Sequence, residues 1–270
     1  TVRAVVASAF GVAASLGVGA AQINSGLHTV FGLPVGPTWQ VGIIAVVTVL
    51  FVTSSVSGVA RGVKLLSVGN LIAAAALAGV VFVLGPTVHI IDTFTNSLGG
   101  YASEFVRMSL RLTPFRDSSW VGSWTIFYWA WWLAWSPFVG LFIARVSRGR
   151  TIREFVLGVV IAPTLVAFLW FSIFGGAALS LEIFQGAPLA DVAAKDSSLA
   201  LFAMLQQLPL ATLTSIIGTL LVVVFFVTSG DSATLVLATM SHGGADNPPH
   251  RSKIIWGVLI FVRFLAFAGV

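Results

Sequence analysis

Six of the nine tryptophans in this 270-residue chain fall in one stretch, WVGSWTIFYWAWWLAW, as Trp120, Trp124, Trp129, Trp131, Trp132 and Trp135. At 100° per residue, Trp124, Phe127, Tyr128, Trp131, Trp132, Trp135, Phe138 and Phe142 occupy an arc of about 140°, one continuous aromatic face of a helix. Indole faces attract cations, above all a cation with no hydrogen-bond donors of its own to satisfy. A quaternary ammonium has that character: its methyls gain from apolar contact and its charge from the ring quadrupoles, at about 0.5–2 kcal/mol per well-placed ring. Roughly three or four rings then give micromolar to millimolar binding without a buried carboxylate. The competing reading is an interfacial aromatic belt. A belt covers only the ends of a span, so it suits Trp120 and Trp124 better than Trp131, Trp132 and Trp135, which lie deeper. Pro137, just past this cluster, removes the hydrogen bond its amide would give to the Leu133 carbonyl and predicts a kink with a free carbonyl beside the aromatic face.

A second set of groups lies in LLVVVFFVTSGDSATLVLATM, where Thr228, Ser229, Asp231, Ser232 and Thr234 interrupt an apolar run. A carboxylate inside a membrane span marks a functional site by default. Asp231 reads equally as a structural partner for a buried Arg, a hydroxyl or a backbone amide. Thr228 and Ser229, with main-chain oxygens, offer part of a hard oxygen shell for Na⁺, or simply bond back to their own helix. Nearer the start, ASAFGVAASLGVGAAQ carries Ser8, Gly11, Ser15, Gly17 and Gly19, a density of small residues that lets helices approach closely. Nothing matches a phosphate loop, a zinc-binding HExxH or a nucleophile elbow, which argues against an enzyme.

The elements that must position these groups follow from composition. With 57% hydrophobic and 9% charged residues and a mean hydropathy of +1.01, the chain cannot cover itself with the charge a water-facing surface needs. Its solvent partner is the lipid bilayer. The net charge of +5 comes from basic residues scattered over short loops, so no nucleic-acid surface is indicated. There is no cysteine, hence no disulfide framework or thiolate metal site. Seven stretches are long enough to span, at 4–23, 40–59, 65–90, 122–144, 155–180, 210–240 and 254–270, and their continuous apolarity predicts helices, not barrel strands. Arg61, Lys64, Arg145, Arg148, Arg150, Arg153, Arg251 and Lys253 fall in loops on one side, which is expected to be cytoplasmic. Arg107, Arg111, Arg116 and Lys195 fall on the other, offset by Asp92, Glu104, Asp117, Glu182, Asp191 and Asp196. Residues 97–113 combine apolar and charged faces at helical spacing and are expected to form an amphipathic surface helix between the third and fourth spans. Residues 183–208 read as an outer loop with a short helix near 197–207. The first residues lack the marks of a signal peptide, and the chain reads as an internal piece of a longer membrane protein, one transmembrane domain over 1–270.

The stretch WTIFYWAWWLAWSPFVGLFIARVSRGRTIREF, residues 124–155, resembles the signature of the betaine/choline/carnitine transporter family, and SLGVGAAQINSGL at 15–27 and FFVTSGDSA at 225–233 agree with it. The resemblance covers essentially the whole chain. It implies an all-α membrane protein with a leucine-transporter-type bundle of inverted repeats, of which this chain would hold about seven transmembrane helices. It further implies a secondary active transporter of the bacterial cytoplasmic membrane, importing glycine betaine, choline or carnitine by alternating access, with Na⁺ as coupling ion and a homotrimer as the assembly. By the same resemblance the substrate would meet Trp131, Trp132 and Trp135, with Phe127 and Phe142 to either side. Thr228, Ser229 and the Phe225 carbonyl would hold one sodium. A second sodium site would use Ser8 and position 12 near Phe138, but Val12 has no ligand atom. The absence of charge between Arg3 and His28 leans toward sodium. The rival readings are a sodium-independent exchanger or proton coupling through Asp231 on the same fold, and a membrane sensor that binds the cation without moving it.

Overall fold

The computed structural model describes residues 2–57, 60–113, 115, 119–245 and 248–267. Arg116 and Asp117 lie outside the described residues, as do the side chains of Arg61, Arg145 and Arg263. The apolar runs are helices, because in hydrocarbon a backbone must satisfy its own polar groups. In chain order they are α1 (Val2–Phe31), α2 (Pro37–Ser57), α3 (Ala60–Leu84), α4 (Thr87–Ser109), a π-helical turn (Val121–Ile126) leading into α5 (Phe127–Val146), and α6 (Ile152–Val156). A second π-helical turn (Leu157–Ile161) joins α6 to α7 (Ala162–Gln185), followed by α8 (Leu189–Lys195), a 3₁₀ turn (Ser197–Leu199), α9 (Ala200–Gln206), α10 (Ala211–Ser241) and α11 (His250–Phe267).

Among the described residues, six helices are long and apolar enough to cross a bilayer. Of the seventh expected stretch, 254–270, residues 254–267 lie in α11, which begins earlier, at His250, and carries Arg251, Lys253 and Arg263 among its 18 residues; residues 268–270 lie outside the described residues. A larger difference concerns the third span. Apolarity continues through residue 90, but α3 stops at Leu84, and Pro86 stands as the N-cap of a new helix. Proline has no amide to continue the ladder, and the Thr87 hydroxyl closes the corner by donating to the Phe82 carbonyl at 2.7 Å. The amphipathic segment expected at 97–113 is therefore the second half of a helix that starts at Thr87 and unwinds at Leu110. This α4 lies along α7. His89 is hydrogen-bonded to the Ser180 hydroxyl at 2.7 Å and stacked on Phe184 at 4.6 Å, while Tyr101 meets Phe168 edge-on at 5.1 Å.

The outer-loop stretch begins where Gly186, at φ 69°, terminates α7, and it folds into α8, the 3₁₀ turn and α9. It is tied to α1 through hydroxyls: the Ser198 side chain donates to Asp196 at 2.7 Å and is hydrogen-bonded to Ser25 at 2.7 Å. Two apolar cores organise the rest. One gathers Leu77, Val81, Ile90, Leu181, Met204 and Leu205 from α3, α4, α7 and α9. The other gathers Val12, Ile23, Phe51, Phe226, Leu237 and Ile260 from α1, α2, α10 and α11. Helix α10 contributes to both, through Leu221 and Phe226 respectively.

Candidate functional site

Helix α1 is the common support of the two candidate regions. At Gly11 an added Cβ would lie 3.1 Å from both Ala134 Cβ and Trp135 Cδ1, so α5 approaches α1 more closely than most side chains permit. Eight residues along, a Cβ at Gly19 would lie 2.6 Å from the Phe226 ring of α10. The small residues of the first stretch thus set two interhelical distances, one to the aromatic helix and one to the hydroxyl-bearing helix.

One turn past Gly11, Ser15 fixes the orientation of the rings. Its hydroxyl donates to the Gly11 carbonyl at 3.0 Å, a back-bond that turns its lone pairs toward α5. Those lone pairs accept from two indoles, Trp131 Nε1 at 2.9 Å and Trp135 Nε1 at 3.0 Å. Trp135 Nε1 also reaches the Gly11 carbonyl at 3.1 Å. With the N–H edges anchored on α1, the rings line a cavity of about 310 Å³ together with Ser15, Tyr128, Trp132 and Val139. Phe127 does not line the cavity but contacts Trp131 at 5.7 Å, Tyr128 packs on Trp131 at 5.5 Å, and Trp135 meets Phe138 edge-on at 5.0 Å. Trp132 is 66% exposed and Phe142, which does not line the cavity, 57%. The carbonyl that Pro137 deprives of its amide is not free: the Ser136 hydroxyl donates to Leu133 O at 2.9 Å.

On α10, Phe225, Thr228 and Ser229 follow the i, i+3, i+4 spacing of one helix face. The Thr228 hydroxyl donates to the Val224 carbonyl at 2.9 Å and, more weakly, to that of Phe225 at 3.2 Å. Donation spends its proton and leaves its lone pairs for a cation. Ser229 is exposed, and Phe226, pointing the other way, is the ring that fills the space above Gly19. From α3, Asn70 anchors the same helix one turn earlier by donating to Leu221 O at 3.3 Å. Among the described residues no group of three or more His, Cys, Asp or Glu could hold a metal. The donors on α10 are hydroxyl and carbonyl oxygens, which suit a hard monovalent ion.

Ser8 is 1% exposed and its hydroxyl has no hydrogen-bond partner, an uncommon state for a buried polar atom. One turn on, Val12 is buried in the apolar core against which Phe138 packs. At the positions where the resemblance puts a second sodium, the structure offers one orphaned oxygen from Ser8 and none from position 12.

Asp231 turns to α2 and α11, where the polar groups around its carboxylate are Ser54, Ser55 and Lys253. Its Oδ1 is buried without a hydrogen bond. Lys253 corrects the loop assignment: it lies in the first turn of α11, is 6% exposed, and donates from Nζ to the Ser55 carbonyl at 3.1 Å. Position near a helix end gave it the character of a loop cation in sequence. Only the packing of α2 against α11 shows that it points inward. Ser15 was likewise missed as a functional group, read among the small packing residues of its helix; two tryptophans one turn apart on a facing span are the signal that an acceptor is needed opposite them.

A model of the betaine/carnitine/choline transporter family matches residues 1–268. Over 258 residues the chain is 49% identical to a glycine betaine transporter of Bacillus subtilis (strain 168), covering 95% of this chain and 50% of that protein. It is 47% identical to an ectoine/hydroxyectoine transporter of Virgibacillus pantothenticus, over 95% of this chain and 51% of the relative. Against a glycine betaine/proline/choline transporter of Vibrio parahaemolyticus the identity is 45%, over 94% and 46%. The chain spans about half the length of these relatives.

Proposed function

The chain belongs to the betaine/carnitine/choline transporter family, and from that premise we propose that this integral, multi-pass membrane protein is part of a secondary active transporter that imports glycine betaine or choline, with Na⁺ as the coupling ion. The observation that carries the reading is the cavity walled by Trp131, Trp132, Trp135 and Tyr128, with the N–H edges of Trp131 and Trp135 turned onto Ser15. What those rings offer a ligand is faces, and faces stabilise a positive charge that is itself coated in methyl groups. Thr228, Ser229 and the Phe225 carbonyl are the proposed sodium ligands, and α1, which spaces α10 and α5 through Gly19 and Gly11, is the proposed mechanical link between ion and substrate.

Alternating access needs the cage to face each side of the membrane in turn, and Na⁺ binding would bias which side. The test is uptake of radiolabelled betaine, choline and carnitine by the intact protein in liposomes, with and without an inward Na⁺ gradient. Accumulation of betaine or choline that depends on the gradient is expected. Saturable binding without accumulation would overturn transport in favour of a sensor, and accumulation at full rate without Na⁺ would overturn sodium coupling. Because Asp231 lies among the Ser54 and Ser55 side chains, and Lys253 is engaged by the Ser55 carbonyl, the carboxylate reads better as a structural polar partner than as a proton carrier. An unchanged pH profile in Asp231→Asn is the expected result, and a lost one would restore proton coupling.

A further inference from the structure

Resting on that reading of the cage, we infer that Ser15 is a specificity-determining positioning residue, which makes the cage select its cation by the number of N-methyl groups. The inference comes from an inventory of hydrogen-bonding capacity. A serine hydroxyl has one proton and two lone pairs. In Ser15 the proton goes to Gly11 O at 3.0 Å and the lone pairs take Trp131 Nε1 at 2.9 Å and Trp135 Nε1 at 3.0 Å. Nothing of the hydroxyl remains for a ligand. The indoles cannot substitute, because an indole N–H donates only, and Val139 has no polar atom. Beyond Ser15, the one side-chain oxygen in this lining belongs to Tyr128.

A trimethylammonium asks for no acceptor and loses nothing in such a place. Each methyl replaced by hydrogen brings an N–H that leaves water for a wall whose one remaining side-chain oxygen is that of Tyr128, and binding weakens by about tenfold. Ser15 produces this in two ways at once. It holds the ring faces toward the cavity, and it consumes the acceptor capacity that an amine would otherwise use. Because it stands on α1 while the rings stand on α5, this selectivity also depends on the register of the two helices, which Gly11 sets by close approach.

The test is equilibrium binding of trimethylglycine, dimethylglycine, sarcosine and glycine to the intact protein in liposomes, for wild type, Ser15→Ala, Ser15→Thr and Ser15→Cys. Wild type should lose about tenfold in affinity for each methyl removed. Ser15→Ala leaves the Trp131 donor without an acceptor and Trp135 with the Gly11 carbonyl alone, lets the rings turn and admits water; it should weaken trimethylglycine by about tenfold and compress its advantage over dimethylglycine to about threefold or less. Ser15→Thr keeps the hydroxyl and should keep the wild-type ratio, as a residue needed only for packing would not. Ser15→Cys keeps the volume but accepts weakly, so it should show the compression even if the alanine variant does not fold. A wild-type ratio in either Ser15→Ala or Ser15→Cys overturns the inference and leaves the transport reading intact, whereas a wild-type protein that binds none of the series overturns both.

Discussion

Helices α5 and α10 both lean on α1 and both carry proposed binding groups, yet they are held in opposite ways. The most apolar window of α10 is 33% buried, and its Phe226, Gly230, Ala233 and Leu237 sit deep among α1, α2 and α11. In the span made by the π-helical turn and α5, no residue of the corresponding window is buried. Packing anchors α10 through many small contacts, none of them decisive alone. A close approach at Gly11 and hydrogen bonds converging on Ser15 anchor α5. The difference teaches where each helix is vulnerable: α10 to changes of volume, α5 to changes of a few polar atoms on its neighbour.

Five variants test this contrast. The largest effect is expected from Gly230→Val, since a Cβ there would lie 2.5 Å from the fully buried Phe51 ring. Overpacking should cost about 3 kcal/mol of stability, seen as a lower melting temperature and yield of monodisperse protein. Gly11→Ala should not do the same, and if it melted the protein equally, the contrast between the two helices would fail. Next is Thr228→Ala with Ser229→Ala, exposed or half-buried positions whose loss should leave the melting temperature nearly unchanged while sodium activation of uptake weakens by about a hundredfold; normal sodium activation would remove them as ligands. Trp132→Leu should weaken betaine or choline binding by about tenfold, the loss of one good ring, measured by titration calorimetry. Unchanged affinity would end the cage assignment. The smallest effect belongs to Phe142→Leu. Phe142 lies outside the cavity lining, so binding should change by less than about twofold, one ring contact being absent. A tenfold loss would mean that the cage extends further along α5.

The aromatic face was legible in sequence because residue type and a 100° period suffice to define it, and the apolar runs announced the spans for the same reason. What escaped depends on partners distant in the chain. Ser15 looks like any small residue of a packed helix until Trp131 and Trp135 are brought opposite it. Lys253 looks like a loop cation until α2 closes over it. The break at Pro86 was hidden because hydropathy runs across it, although a proline after a glycine was reason to end the helix there. Pro137 misled in the other direction: the local rule correctly removed a hydrogen bond, but the neighbouring Ser136 supplied another.

The cage lining of Ser15, Tyr128, Trp131, Trp132, Trp135 and Val139 includes no acid and no basic group. Attraction built from ring quadrupoles leaves no fixed charge behind when the ligand departs. Moving one elementary charge across a membrane potential of 100 mV costs about 2.3 kcal/mol, and these six residues, when empty, would carry none of it. In the proposed transport cycle this wall adds no charge of its own to an unloaded return, so its own empty movement would not work against the field.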